Sequence, residues 1–247
     1  MPYAEPRAVR NPDDCFFYYA MDLPNRGTVK AESYWDLRGQ FEDYSGGVDL
    51  RGKRFLEIRA ASGFVSFEAG KRGADVVSFD LERADQRQFI PGKGMDLDAT
   101  GREIDRLKNA YWLAHGANRS RARAFYGDVY DMPDELGRFD VVFFGQILVH
   151  LRDPLRAIEQ GARLCRDTLV ITEGMPRAWH PTMRLIAGPG TGSYDGWWLI
   201  SPTLYRQWLA VLGFRVERLT GASYNFVMPQ RTRKFRLRTI IARRIAA

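Results

Sequence analysis

A chain of 247 residues, 45% apolar and 27% charged, suits one α/β domain with a large core. Its net charge of +7 admits anionic partners, whereas no run approaches the roughly 18 apolar residues of a membrane span. Cys15 and Cys165 are too few for a disulfide framework, and the first residues lack a charged-then-apolar leader pattern, so a cytoplasmic protein with reduced thiols is expected.

Residues 1–50 form an aromatic-rich extension, with Phe16, Phe17, Tyr18 and Tyr19 followed by Tyr34, Trp35, Phe41 and Tyr44. Such a segment can close the core of the remaining domain, 51–247, or supply one wall of a site. The apolar run 53–58 predicts a strand that carries Glu57. A turn of small residues through Gly63 follows. Phe64, Val65, Phe67 and Ala69 then mark a helical face, and Gly73 falls where a helix end favours a left-handed residue. Residues 74–79 predict a second strand with Asp80 at its carboxyl end. In an open parallel sheet ligands sit at that edge, and an acid about 20 residues past the first turn suits a ribose diol.

Beyond a polar Pro-Gly connection, Thr100 and Glu103 form a capping-box pattern; Ile104, Leu107, Tyr111 and Ala114 follow at helical spacing, with Gly116 as the cap. A short strand at 124–126 brings Asp128 to the same edge as Asp80, and the continuous apolar run 139–144 reads as a central parallel strand. Gln146 and His150 lie just past its end; His150 suits a general base or a structural histidine. Asp153-Pro154 opens a helix, and 168–172 is a fifth strand ending at Glu173. The connection 173–200 carries Gly188, Gly190, Gly192, Tyr194, Asp195, Trp197 and Trp198, a composition that suits a lid over an acceptor. A helix from Ser201-Pro202 and strands at 214–219 and 239–242 complete the pattern. The histidines are isolated and no cluster has zinc spacing, so no metal is expected.

Glu57 followed by Gly63 resembles the first motif of class I S-adenosylmethionine-dependent methyltransferases, Asp80 resembles their ribose acid, and Gly127-Asp128-Val129 resembles their adenine-contacting segment. Residues 139–173 and the run WWLISPTLYRQWLAVLGF are similar to the tRNA wobble-uridine carboxymethyltransferase branch and related small-molecule enzymes, as is the spacing Lys30, Trp35, Arg38. The resemblance implies a Rossmann-like fold, a mostly parallel seven-stranded sheet with helices on both faces. It also implies S-adenosylmethionine as cofactor, held by Glu57, Arg59, Ala61, Gly63, Asp80, Asp128, Val129 and Gln146. His150 is then the first choice for base and Asp195 the second.

The chain departs from that family where Arg59 and Ala61 replace the first two glycines. Arg59 therefore points away, pairs with a cofactor carboxylate, or impairs cofactor binding and leaves a silent domain. The expected acceptor is a small molecule or a glycan-like compound. The alternative is RNA, met by Arg119, Arg121 and Arg123 or by the basic run from Arg231 to Arg238.

Overall fold

A computed structural model describes residues 3–29, 34–91, 94, 96–188, 195–228 and 230–245. The N-terminal segment holds β1 (Met21–Leu23), β2 (Gly27–Val29), β3 (Trp35–Asp36) and α1 (Phe41–Ser45). Next come β4 (Arg54–Ile58), α2 (Phe64–Lys71), β5 (Asp75–Asp80), α3 (Leu97–Ala117) and β6 (Arg123–Tyr126). The second half holds β7 (Phe139–Gly145), α4 (Pro154–Leu164), β8 (Cys165–Glu173), β9 (Met183–Leu185) and β10 (Trp198–Ile200), then α5 (Pro202–Val211), β11 (Phe214–Met228) and β12 (Arg231–Arg244).

The main sheet has eight strands in the order β3-β11-β12-β8-β7-β4-β5-β6, so the expected seven is corrected by one. The additional strand is β3, which brings the N-terminal segment into the sheet by pairing Trp35 and Asp36 with Phe226 and Asn225. Strands β6, β5, β4, β7 and β8 pair in parallel, while β12 is antiparallel to both neighbours. Strand alternation sorts the core into two layers. Phe55, Val141 and Phe143 pack with α2, α3 and the aromatic segment. Leu56, Val142 and Phe144 pack with α4 and α5. Each phenylalanine buried this way contributes about 1.5–3 kcal/mol. Cys15 and Cys165 are both buried and are not bonded to each other.

Helix α3 starts earlier than its expected capping box. Asp96, not Thr100, is the N-cap, its side chain accepting the Ala99 amide, and the helix ends at Asn118 rather than Gly116. Glu103 is left free to pair with Arg87 at 3.0 Å. The last two strands are also longer than expected. Strand β12 leaves β8 at the pair Arg238–Glu173 yet stays paired with β11 as far as Arg231. Residues 231–237 therefore extend past the carboxyl end of β8 as roughly 20 Å of two-stranded ribbon. One face of the ribbon, with Tyr224, Phe226 and Leu237, packs on the aromatic N-terminal segment, while Lys234, Arg236 and Arg238 lie on the other.

Strand order reverses between β4 and β7, which are neighbours although two strands intervene in sequence. A crevice forms where loops diverge at such a point. The turn after β4 and the loop after β7 face each other across it.

Candidate functional site

The turn from β4 to α2 supplies the floor of the crevice. Arg59 (φ 71°), Ala61 (φ 50°) and Gly63 (φ 90°) all adopt the left-handed region at alternate positions. The backbone thus follows a path suited to glycines even where the residues are arginine and alanine. At Gly63 no side chain is tolerated, since a Cβ would sit 2.5 Å from the Phe67 ring and 2.8 Å from Tyr111. The turn is tied to β5 from both sides. The Arg59 amide donates to the Phe79 carbonyl (2.7 Å), and the Ala61 amide donates to Asp80 Oδ2 (2.7 Å). Asp80 Oδ1 accepts the Leu81 amide at 2.7 Å.

Glu57 lies beneath this turn, buried, and accepts a hydrogen bond from Ser66 Oγ. Ser66 continues to Ser78 (2.6 Å) and Ser78 to the Tyr111 hydroxyl (2.9 Å). Burial pushes the Glu57 carboxyl well above the usual range, against the Ser66 hydrogen bond. In this hydrogen-bonded chain Glu57 braces α2 against β5, a supporting position rather than one on the crevice wall.

Glu173, at the end of β8, fixes the loop after β7. Its carboxyl accepts the Leu148 amide at 2.7 Å and Gln146 Nε2 at 3.0 Å. Burial raises its pKa to about 8 despite those donors. Gln146 itself takes a left-handed φ of 52°. His150 Nδ1 then lies 3.2 Å from Asp195 Oδ1. Arg87 donates to Asp195 Oδ2 through Nε (3.2 Å) and Nη2 (3.1 Å). Burial raises the Asp195 pKa, but His150, Arg87 and Arg59 outweigh it and hold the carboxyl below the usual range. Among the described residues His150 Nε2 has no partner, so the dyad presents a nitrogen held in orientation by a carboxylate.

The crevice has three lobes, and Arg59 and Arg87 stand in the wall of each. One, of about 400 Å³, is an apolar slot between Phe79, Val129, Ile147 and Leu151. A second, of about 510 Å³, runs under α3 beside Asp80, Lys108 and Tyr126. The third, of about 610 Å³, is bounded by Phe16, Tyr18, Tyr19, Tyr34, Gln146, His150 and Asp195.

No protein-family model matches the chain. It is 26% identical over 217 residues to the tRNA U34 carboxymethyltransferase of Pseudomonas aeruginosa, covering 83% of this chain but only 58% of that protein. The chain thus spans less than two thirds of that relative's length. It is 24% identical over 217 residues to the ubiquinone biosynthesis O-methyltransferase of Dechloromonas aromatica, covering 79% of this chain and 83% of that one. Magnesium protoporphyrin IX methyltransferase from Synechocystis PCC 6803, solved with bound S-adenosylmethionine, superposes with a TM-score of 0.53. That match has 14% identity over 83% of this chain and 76% of the other. The fold is that of the class I methyltransferases.

On this class I scaffold, Arg59, Ala61, Asp80, Val129, Gln146, His150 and Asp195 all come together on the lobes of one crevice, with Gly63 closing the turn beneath them. Two expected residues stand apart. Glu57 is buried under the turn, and Asp128 is exposed, with Oδ1 accepting the Tyr130 amide at 2.9 Å. Arg87 and Glu173 were not foreseen as site residues, whereas Tyr18 and Tyr34 belong to the aromatic segment expected to close the core or supply one wall of a site. Arg87 sits in a polar connection with no motif, whereas Glu173 carried one signal, an acid at the end of a parallel strand. Of the lid expected over 173–200, residues 189–194, with Gly190, Gly192 and Tyr194, lie outside the described residues, as does Lys30. The described part closes on the crevice. Trp197 donates Nε1 to the Gln88 carbonyl (2.6 Å) and its amide to the Val149 carbonyl (2.7 Å).

Proposed function

We propose that the chain is an S-adenosylmethionine-dependent methyltransferase acting on a small-molecule or glycan-like acceptor. The observation that carries this reading is the lobe around His150. Tyr18 and Tyr34 of the N-terminal segment and Asp195 of the lid enclose it, so an acceptor there would meet flat aromatic walls beside one oriented imidazole.

The residues present fit the cofactor. Asp80 stands at the strand end where ribose hydroxyls would donate to it, the slot of Phe79, Val129, Ile147 and Leu151 suits an adenine, and the turn keeps its glycine-like path. Bound there, the cofactor supplies a methyl group made electrophilic by a sulfonium. The chain's own residues do the rest. Tyr18, Tyr34 and Trp197 exclude water and orient the acceptor, His150 Nε2 takes a proton from the attacking atom, and Asp195 holds His150 Nδ1. Calorimetric titration with S-adenosylhomocysteine tests the reading. The wild-type chain is expected to bind, and Asp80→Ala is expected to weaken binding by more than about tenfold. Absence of binding by the wild type would sink it. Once an acceptor is in hand, His150→Ala should depress turnover far more than cofactor affinity; turnover equal to wild type removes the base role.

A second reading, an RNA acceptor, has one specific observation in its favour. The ribbon of β11 and β12 projects at the same sheet edge as the crevice. On one of its faces Lys234, Arg236 and Arg238 lie opposite Asn225, Ser223 and Gly221, and among the described residues none of the three forms an ion pair. Retention of tRNA that weakens steeply with salt, and that is lost in Lys234→Glu with Arg236→Glu, would favour this reading. Salt-independent or absent retention leaves the small acceptor.

A further inference from the structure

Arg59 is a charged residue in a strained backbone conformation; its field helps hold Asp195 ionised and it lies 3.9 Å from Asp80, yet among the described residues its guanidinium donates no hydrogen bond. Its φ of 71° places a long side chain where an L-residue is disfavoured. Strain of this kind persists where surrounding structure enforces it, and it gathers at ligand sites. Arg59, Ala61 and Gln146 account for three of the five non-glycine positive-φ residues among the described residues, and all three line the lobe around His150.

The neighbouring acids do not explain the arginine. Asp80 lies 3.9 Å from Arg59 Nε, an ion-pair separation too long for a hydrogen bond. Asp195 is engaged by Arg87 and His150. Among the described residues the Arg59 side chain donates no hydrogen bond, although it stands in the wall of all three lobes. The other cations around the crevice are committed, Arg87 to Asp195 and Glu103 and Lys108 Nζ to the Glu82 carbonyl. One uncommitted guanidinium, planar and with five N–H groups, matches a planar monoanion in two parallel hydrogen bonds. A phosphate dianion would call for more uncommitted positive charge than the crevice offers.

We propose that Arg59 is a carboxylate-binding residue, and that a ligand of this crevice presents a carboxylate to it. The proposal rests on the methyl-transfer reading for one of its two sources. The carboxylate is either that of the cofactor's amino-acid end or one carried by the acceptor.

The test is calorimetry on the wild type, Arg59→Gln and Arg59→Lys with four probes. S-adenosylhomocysteine is compared with 5′-methylthioadenosine, which lacks the amino-acid end. Benzoate is compared with neutral benzamide, both added to protein saturated with S-adenosylhomocysteine. If the cofactor is the source, Arg59→Gln weakens S-adenosylhomocysteine about tenfold or more and leaves methylthioadenosine within about twofold, with Arg59→Lys between. If the acceptor is the source, S-adenosylhomocysteine is unchanged, while the wild type's preference for benzoate over benzamide disappears in Arg59→Gln. If neither discrimination depends on Arg59, the proposal is overturned. A wild type that binds neither nucleoside sinks the methyltransferase reading, and benzoate against benzamide, measured without nucleoside, then decides the role of Arg59 alone. Should Arg59→Gln fail to fold, Arg59→Gly suits the left-handed backbone and gives the same comparison.

Discussion

Ala61 and Gly63 share a left-handed backbone but respond in opposite ways to exchange. At Ala61 (φ 50°) a glycine would remove steric strain of about 1–2 kcal/mol and add about 0.5–1 kcal/mol of chain entropy to lose on folding. Ala61→Gly should therefore stabilise the chain by up to about 1 kcal/mol, read as a higher urea midpoint at unchanged slope. Gly63→Ala combines the φ of 90° with a Cβ 2.5 Å from the Phe67 ring. A loss of roughly 2–4 kcal/mol is expected by the same measurement. A midpoint equal to wild type in Gly63→Ala would mean that the Phe67 and Tyr111 rings move aside freely. Much of this was legible beforehand. The position of Gly63 followed from the turn that precedes a helical face, and Asp80 from its place at a strand end. What could not be read was the orientation of Glu57. A carboxylate in a strand of alternating residues can face the ligand or the helix, and only the hydrogen-bonded chain through Ser66, nine residues on, and Ser78, twelve beyond that, decides for the helix.

At the scale of elements, the polar connection after β5 and the end of the long connection before β10 act as one closure. Arg87 binds Asp195, Trp197 Nε1 reaches the Gln88 carbonyl, and Arg152 reaches the Phe89 carbonyl at 3.1 Å while lying 4.9 Å from the Trp197 ring centroid. The side chains of this charged pair are 18% and 14% exposed, between the surface and fully buried cases, so its loss is worth on the order of 1–3 kcal/mol. Arg87→Gln should raise amide hydrogen exchange at 195–200 by about tenfold while the protection of β4 and β7 stays unchanged. Uniformly faster exchange across the sheet would instead make Arg87 part of global stability. The lid was legible as a long loop rich in glycine and tryptophan. The strands β9 and β10 inside it were not, because three residues each give no period to recognise. The ribbon half of β11 and β12 was missed for another reason, since the alternation of Tyr224, Phe226 and Leu237 is set beside a run of basic residues that reads first as a charged cluster. Helix α3 was placed correctly by its apolar spacing, and only its two caps were misassigned, the first because Asp96 and Thr100 both precede acids and apolar residues at acceptable distances.

For the whole molecule, two carboxyls with opposite shifts give stability a maximum in mildly acidic solution. Glu173 has a folded pKa of about 8, above its unfolded value, so the folded state binds the extra proton. Its contribution is complete below the unfolded value and declines as pH rises to about 8, by at most roughly 1.4 kcal/mol per pH unit. Asp195 is held below its unfolded value, so its contribution is present above that value and is lost as pH falls through the depressed one. Glu173→Gln should flatten the alkaline decline and Asp195→Asn the acidic one, each followed by urea unfolding across pH 3–9. An unaltered alkaline limb in Glu173→Gln would mean that its carboxyl is ionised in the folded protein. The architecture was the most legible feature, since strands and helices alternate along the chain in the order that builds a parallel sheet. The eighth strand was not, because Trp35 and Asp36 pair with residues nearly two hundred positions away. That pairing has a consequence for biosynthesis. The partner of β3 and the strand that covers the open side of β8 both lie after residue 213. While a ribosome is still translating the chain, β8 must keep a bare edge and the aromatic segment must wait undocked, the state in which a nascent chain is most exposed to wrong pairing and most in need of chaperone cover.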